Sequence, residues 1–430
     1  MQVYDKNIGY TLLRIFWVNP IIKLSVRRLA IRGKENLPKD GAVIIGCNHT
    51  SALLDPLIIL RAMNRATVFM TRADIFRKPF LQKVFTFLKM LPIFRIRDGY
   101  AAVKQNEEII AKCGDVLQHG LPLALFPEAT HRPKHSLLPL SKGIFHIALE
   151  ANKRIGHERP VYIVPMGLEY GKYFDYRSTV VATYGEAINV TEFVRQHEDE
   201  VTPARLLAML REELATRMSK LIAYVPDTED YEAQWELTKL CTAQCHPLSP
   251  AERLTINQAA IKHLTAKKET DAPEATAALY ADAAAFREER IARGIHPSST
   301  SHKHPLAASL GNTVALLCAL PYYLFCAITM APSWIVSHII VGKLKDKAFS
   351  NTARLGVNLA LCGLLVIIWG IVALCTLHTV PAVLCIALLI PAMAFFYDYN
   401  TFARHTLSDW RWTLAKHMHP RLNELLRRCK

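Results

Sequence analysis

Two long stretches of this chain carry no charged side chain: the 39 residues from His304 to Gly342 and the 43 from Leu355 to Tyr397 contain no Asp, Glu, Lys or Arg. A helical membrane pass needs about 20 consecutive apolar residues, so each stretch is long enough for two. The sequence predicts two passages or a re-entrant pair turning around Pro321 or Pro332 in the first run, and two helices turning near His378 and Pro381 in the second, each run returning to its starting side. Lys343, Lys345, Lys347, Arg354 and the basic tail after Arg404 then share one face, as the positive-inside rule prefers. The first 303 residues carry charge throughout. The chain therefore divides into interfacial helices over 1–30, an α/β domain over 31–200, a helical appendage over 201–293, a linker over 294–304, a transmembrane region over 305–400 and a basic cytoplasmic tail over 401–430.

The formal net charge of +15 and pI near 9.3 call for an anionic partner. The uncharged runs favour a lipid bilayer, because Lys and Arg beside a membrane gain about 1 kcal/mol each near anionic headgroups. No nucleic-acid-binding module accompanies the charge, so nucleic acid is not an expected partner. The ten cysteines include no C-x-x-C pair. Cys241, Cys245 and His246 are close in sequence but have no second ligand pair nearby, so neither a disulfide framework nor a zinc site is expected. Arg14, Lys23, Arg27 and Arg28 interrupt the N-terminal apolar stretch, unlike a signal peptide. That stretch, with Tyr10 and Trp17 and a break at Asn19-Pro20, reads as two short amphipathic helices lying at a membrane interface. The expectation is an integral membrane protein whose charged domain faces the cytoplasm, in a bacterial inner membrane or, in a eukaryote, the endoplasmic reticulum.

Between Leu29 and Val190, short β-branched runs alternate with helical ones. Ala42–Cys47, Thr67–Met70, Pro122–Phe126, Val161–Met166 and Val180–Thr183 read as strands. Helices are expected at Pro56–Met63, Phe80–Met90, Ala101–Lys112 and Lys142–Asn152. This alternation predicts an α/β fold, a central mixed sheet flanked by helices. From Thr202 to Arg293 the composition turns to Ala, Glu, Leu, Lys and Arg at helical spacing, and the linker after it contains Pro297 and the hydroxyl run Ser298 to Ser301.

The chemistry is concentrated in Gly46-Cys47-Asn48-His49-Thr50-Ser51-Ala52-Leu53-Leu54-Asp55-Pro56. His49 follows a strand and Asp55 precedes a helix. Six positions apart they sit about 240° around a helix, so they can meet only across a turn. A carboxylate on one imidazole nitrogen fixes the tautomer and leaves the other nitrogen to accept a proton. A buried histidine beside a helix-capping aspartate would fit these two residues equally well.

Further segments in order choose between the two. Phe94-Arg95-Ile96-Arg97 follows, then Phe126-Pro127-Glu128-Ala129-Thr130 with Lys142-Gly143 downstream, then Val164-Pro165-Met166. With Asn48-His49 through Asp55 these blocks resemble the glycerolipid acyltransferase family, which includes the lysophosphatidic acid and glycerol-3-phosphate acyltransferases. The resemblance covers roughly residues 40 to 190. It implies His49 and Asp55 as the catalytic pair, with direct transfer from acyl-CoA or acyl carrier protein to the hydroxyl of a glycerol phosphate. It also implies a phosphate site among Arg95, Arg97, His131, Arg132, Lys134 and Lys142, with Asn48, Glu128, Thr130 and Gly143 organising the surroundings. Arg suits bidentate phosphate contact. No metal or resident cofactor is expected; the thioester is a co-substrate. Two departures stand out. Five residues separate His49 from Asp55 where the family usually has four, as in some glycerol-3-phosphate acyltransferase relatives, and Ala129 replaces the usual glycine after Pro-Glu. His131 stands where arginine is usual, with Arg132 next. The alternatives are acylation of another hydroxyl-bearing lipid, a covalent route through Cys47 or Ser51, and a non-catalytic lipid-binding role on the same fold, for which Ala129 and the lengthened histidine motif are the support.

Overall fold

The computed structural model describes residues 2–94, 106–270 and 272–429. Two compact units emerge, one formed by Met1–Tyr173 with Thr179–Ile222 and the other by Phe174–Ser178 with Ala223–Lys430.

The first unit is built on an eight-stranded sheet: β1 (Val26–Arg32), β2 (Ala42–Cys47), β3 (Val68–Arg72), β4 (Met90–Ile93), β5 (Leu123–Leu125), β6 (Val161–Tyr170), β7 (Ser178–Tyr184) and β8 (Ile188–Asn189). The order is β1-β7-β6-β2-β5-β3-β4, with β8 also on β6. From β6 to β4 every neighbour is parallel, whereas β7 and β8 run antiparallel to β6. The sheet is therefore mixed. Strand β2 is buried along its whole length, the pattern of a parallel strand covered on both faces. Its residues alternate between two cores: Ala42 and Ile44 join Phe145, Ile147 and Leu210 on one side, while Val43, Ile45 and Cys47 join Ile58 and Ile59 on the other. Gly46 belongs to the first side, where an added Cβ would come within 3.1 Å of Ile144 and 3.2 Å of Leu214. Its missing side chain lets two helices close over the strand.

The described helices of this unit are α1 (Ile8–Leu13), α2 (Asn19–Ser25), α3 (Leu54–Met63), α4 (Pro79–Phe87), α5 (Asn106–Gln118), α6 (Gly143–Ile155), α7 (Val190–His197) and α8 (Pro203–Ser219), of which α6 and α8 close over Gly46. Three features differ from the sequence expectation. No break occurs at Asn19-Pro20; a π-helical turn, Arg14–Val18, joins α1 to α2, a widened turn of the kind that relieves the clash of a proline ring with the preceding carbonyls. Ile8, Phe16 and Trp17 stay exposed along it. The basic run after Ser25 is edge strand β1, where Arg27, Arg28 and Arg32 discourage further pairing. Helix α8 belongs to this unit and not to an appendage, since Leu207, Leu210, Leu214 and Met218 complete its core.

The second unit is helical: α9 (Tyr231–Gln244), α10 (Pro250–Thr270), α11 (Pro273–Ala292), α12 (Pro305–Lys343), α13 (Ser350–Thr376), α14 (Thr379–Leu414) and α15 (Met418–Cys429). Three stretches are long and apolar enough to cross a membrane: Pro305–Lys343, Lys347–Thr376 and Thr379–Leu414. The predicted turn near His378 is present. The predicted turn in the first run is not, because Pro321 and Pro332 lie inside one continuous helix; proline is tolerated there when neighbouring groups satisfy the freed carbonyls. The expected linker is packed, with Ser299 and Thr300 buried and Ser299 Oγ 2.7 Å from Ser408 Oγ. The basic segment expected as a tail is packed too: Trp412, Met418, Leu422 and Leu425 share a core with Leu237, Leu240 and Phe286.

Candidate active site

Strand β2 ends at Cys47, opposite Met166 of β6, but β6 runs on through Leu168 to Tyr170. The two strands part here, and the chain after β2 is free to turn. Asn48 prolongs the pairing with its side chain, donating from Nδ2 to the Leu168 carbonyl at 3.0 Å and accepting the Leu168 N–H at Oδ1 at 2.7 Å. His49 is thereby set just past the strand end. The following residues turn over, with Leu54 N–H donating to the Ser51 carbonyl at 2.9 Å and Ala52 at φ 37°. That left-handed residue allows five residues to bring the chain round to α3.

The turn brings Asp55 back against the histidine. Asp55 Oδ2 lies 2.7 Å from His49 Nδ1 and also accepts the N–H groups of Thr50 and Ser51 at 2.8 Å each. Its other oxygen accepts the Tyr170 hydroxyl at 2.5 Å. Asp55 is fully buried, whereas the His49 side chain is 19% exposed. Its place in the first turn of α3 adds the favourable end of the helix dipole. A carboxylate only accepts, so an ionised Asp55 puts the imidazole proton on Nδ1 and leaves Nε2 as the acceptor. Tyr170 keeps its proton, since burial and then the Asp55 charge push its pKa well up.

A second support comes from the loop after β5. Glu128 Oε1 accepts the His49 N–H at 3.0 Å and Oε2 accepts the Leu138 N–H at 2.9 Å, so one carboxylate ties both ends of the loop to the histidine backbone. Burial raises the Glu128 pKa, against the two backbone bonds that lower it. Phe126 stacks on the His49 ring at 4.1 Å, and His131 meets it edge-on at 5.5 Å. Arg132 N–H reaches the His49 carbonyl at 3.4 Å while its guanidinium donates to Ser136 Oγ at 2.6 Å. Ala129 takes φ 57°, the left-handed conformation that glycine adopts without strain. The alanine at this position therefore follows the same backbone path a glycine would.

Of the residues expected at a phosphate site, His131 and Arg132 lie beside His49, and Lys134 lies on the same loop. Lys142 is exposed immediately before α6, where a cation opposes the helix dipole. Its charge is not there to stabilise that helix. Thr130 is exposed, and an added Cβ at Gly143 would make only ordinary contact with Ile93. Arg95 and Arg97 lie outside the described residues. Cys47 and Ser51 are fully buried, and burial, then the charges of Asp55 and Glu128, hold the Cys47 thiol far above its ordinary pKa. A thiol so placed is a poor nucleophile. Among the described residues no group of three or more His, Cys, Asp or Glu is placed to hold a metal ion.

Sequence reasoning missed Tyr170. It lies 115 positions from Asp55, and only the β2–β6 register joins them. The period-2 series Val164, Met166, Leu168, Tyr170 was the available signal, because it places the tyrosine on the face that carries Val43, Ile45 and Cys47.

Comparison with known proteins gives a consistent picture. Residues 28–169 match the family described as Acyltransferase. A 1-acyl-sn-glycerol-3-phosphate acyltransferase of Borreliella burgdorferi is 27% identical over 128 residues, 30% of this chain and 49% of that protein. One from Cocos nucifera is 31% identical over 104 residues, 24% of this chain and 32% of that protein. The matches thus span about half or less of the length of these curated relatives. The crystal structure of the 1-acyl-sn-glycerophosphate (LPA) acyltransferase PlsC from Thermotoga maritima is similar at 20% identity and a TM-score of 0.32, covering 49% of this chain and 86% of that one.

Proposed function

We infer that this chain, whose residues 28–169 match the family described as Acyltransferase, transfers a fatty acyl group from a thioester to the hydroxyl of a glycerol phosphate. The observation that carries the reading is the 2.7 Å contact between His49 Nδ1 and a fully buried Asp55. It leaves Nε2 to take the acceptor's hydroxyl proton as the oxygen attacks the acyl carbonyl. The new C–O bond forms, the C–S bond breaks, and the departing thiolate leaves as a thiol with the proton from the imidazolium. General-base assistance of this kind is worth roughly 10²–10⁴-fold.

The acceptor's phosphate is assigned to the basic loop groups His131, Arg132, Lys134 and Lys142, together with Arg95 and Arg97. Lysophosphatidic acid and glycerol 3-phosphate are the acceptors considered, and acyl-CoA or acyl carrier protein the donor. Products of this reaction enter phospholipid synthesis. The exposed Ile8, Phe16 and Trp17 suit a helix lying in a membrane interface, and the site is assigned to the cytoplasmic face, where water-soluble glycerol 3-phosphate and acyl thioesters would reach it. The non-catalytic reading rested on Ala129 and on the lengthened histidine motif; Ala129 follows a glycine-like backbone path, and the longer turn still brings Asp55 to 2.7 Å from His49.

The test is acyl transfer by the full chain in vesicles, with labelled acyl-CoA or acyl carrier protein offered to both acceptors. Wild type should label at least one acceptor, and His49→Ala should not, while keeping the wild-type melting profile. Wild-type turnover in a folded His49→Ala variant would remove the mechanism.

A further inference from the structure

Three apolar helices invite a reading as three membrane crossings, which would put Lys303 and Lys343 on opposite sides of the bilayer. Packing within the C-terminal unit contradicts it. At the start of α12, Asn312 Nδ2 donates to Asp409 Oδ2 at 2.9 Å, Trp410 Nε1 donates to Thr313 Oγ1 at 2.9 Å, and Ser309 Oγ lies 3.2 Å from Thr413 Oγ1. The first turns of α12 are thus seated on the polar end of α14.

The far flank of α12 is tied to the same polar end. Just beyond Lys343–Lys347, Asn358 Nδ2 donates to the Tyr397 hydroxyl at 3.4 Å, and Ser333 Oγ donates to Asn358 Oδ1 at 2.8 Å. Arg177 grips Asp398 with two bonds of 2.9 Å, and Arg354 donates to the carbonyl of Phe174 in the same short segment. Residues 354–358 therefore lie level with 397–398. From Asp398 to Asp409 is 11 positions, about 16 Å of helix, and this stretch includes Asn400 and Arg404. It is too short and too polar to traverse about 30 Å of hydrocarbon. Both ends of α12 must lie on one side.

We infer that the C-terminal unit enters the bilayer from one face only, with residues 305–313, 343–354 and 398–429 all on the same aqueous side. The α13–α14 hairpin projects from that side, its uncharged Leu377-His378 turn at the tip. Helix α12 makes no net crossing. Its Ser309, Asn312 and Thr313 face the polar seam, its middle lies deeper, where the Thr329 carbonyl accepts from Trp369 Nε1 at 3.2 Å, and Ser333 is back at the level of Asn358. Lys343, Lys345, Lys347, Arg404 and Arg411 then all face one set of headgroups, which suits an anionic surface. The inference rests on this unit's own packing and is independent of the acyl-transfer reading.

Sealed vesicles containing anionic lipid test it, prepared in both orientations and treated with a membrane-impermeant maleimide. Lys303→Cys and Lys345→Cys are each read by peptide mass spectrometry against native Cys245, which is exposed on the same unit. Labelling of 303, 345 and 245 from a single common face is the expected result. Labelling of 303 and 345 from opposite faces overturns the inference. Trypsin applied to the wild-type protein in the same vesicles makes the comparison without substitution: cleavage at Lys303 and Lys345 from one face supports it, and from opposite faces overturns it.

Discussion

Asp55 in the first unit and Glu236 in the second are both fully buried carboxylates, yet they are compensated in different ways. Burying such a charge costs several kcal/mol unless its surroundings repay it. Glu236 meets two cations, Arg290 Nη2 at 2.8 Å and Lys239 Nζ at 2.6 Å. Burial pushes its pKa up, but the Arg290 hydrogen bond and the charges of Lys239 and Arg290 outweigh that and leave it below the ordinary value. Asp55 is held instead by two backbone N–H groups, a phenol and an imidazole. Fixed cations neutralise a carboxylate and tie α9 to α11. Neutral donors leave its charge in place, available to stabilise an imidazolium when His49 takes a proton. One arrangement serves packing and the other suits proton transfer.

The largest expected effect separates these roles most sharply. Asp55→Asn keeps the side-chain shape but no longer fixes the useful tautomer, and a loss of up to about 10⁴-fold in turnover is expected by analogy with triad aspartates. Near-normal turnover would mean that Asp55 only caps a helix. Breaking the other cluster should act on stability instead. Arg290→Ala leaves the buried Glu236 with Lys239 as its one remaining cation and should cost about 1–3 kcal/mol, the penalty of a lost hydrogen bond to a charged group, read by urea unfolding, while the folded fraction keeps its turnover. The pH dependence has a definite sign. Because the folded Glu236 pKa lies below the ordinary 4.5, its pairing contributes above that value and fades as pH falls through the folded pKa. The stability advantage of wild type over Glu236→Gln should therefore shrink below about pH 4.5, and an advantage that grew on acidification would refute the assignment.

Tyr170→Phe probes the neutral side of the comparison. It removes one hydrogen bond to a charged group, worth about 1.5–3 kcal/mol. If part of that reaches the transition state, kcat should fall about tenfold with KM little changed. An unaltered kcat would make Tyr170 a packing residue only. The smallest effect is expected at Ala129→Gly. Left-handed backbone costs an L-residue about 1–2 kcal/mol, and Ala129 is exposed, so the glycine should raise the melting temperature without changing turnover. A lower melting temperature would show that the loop does not hold this φ.

Much of the site was legible because its parts are local. His49 to Asp55 is a single turn, and strand and helix signals flank it. Glu128 was expected to organise the site, but the bond that does so, to the His49 backbone, joins residues 79 positions apart. Tyr170 was not expected at all. The helices were legible in the same limited way. Leu206, Leu207, Leu210, Leu214 and Met218 announce an amphipathic helix, but nothing in that spacing says that its face closes the sheet core.

The sequence by itself determined where apolar and charged residues lie along the chain, and hence the alternation of strand and helix, the two uncharged membrane-length runs and the residues able to do acid–base chemistry. These follow from short-range periodicity and from side-chain type. Only the tertiary structure decided which distant groups meet: Tyr170 on Asp55, Arg290 on Glu236, and the start of α12 on the polar end of α14. Proline in an uncharged run reads as a turn, yet Pro321 and Pro332 sit within a continuous helix. Composition scores each residue's affinity for lipid or water, while sidedness depends on contacts between segments roughly a hundred residues apart, such as Asn312 and Asp409.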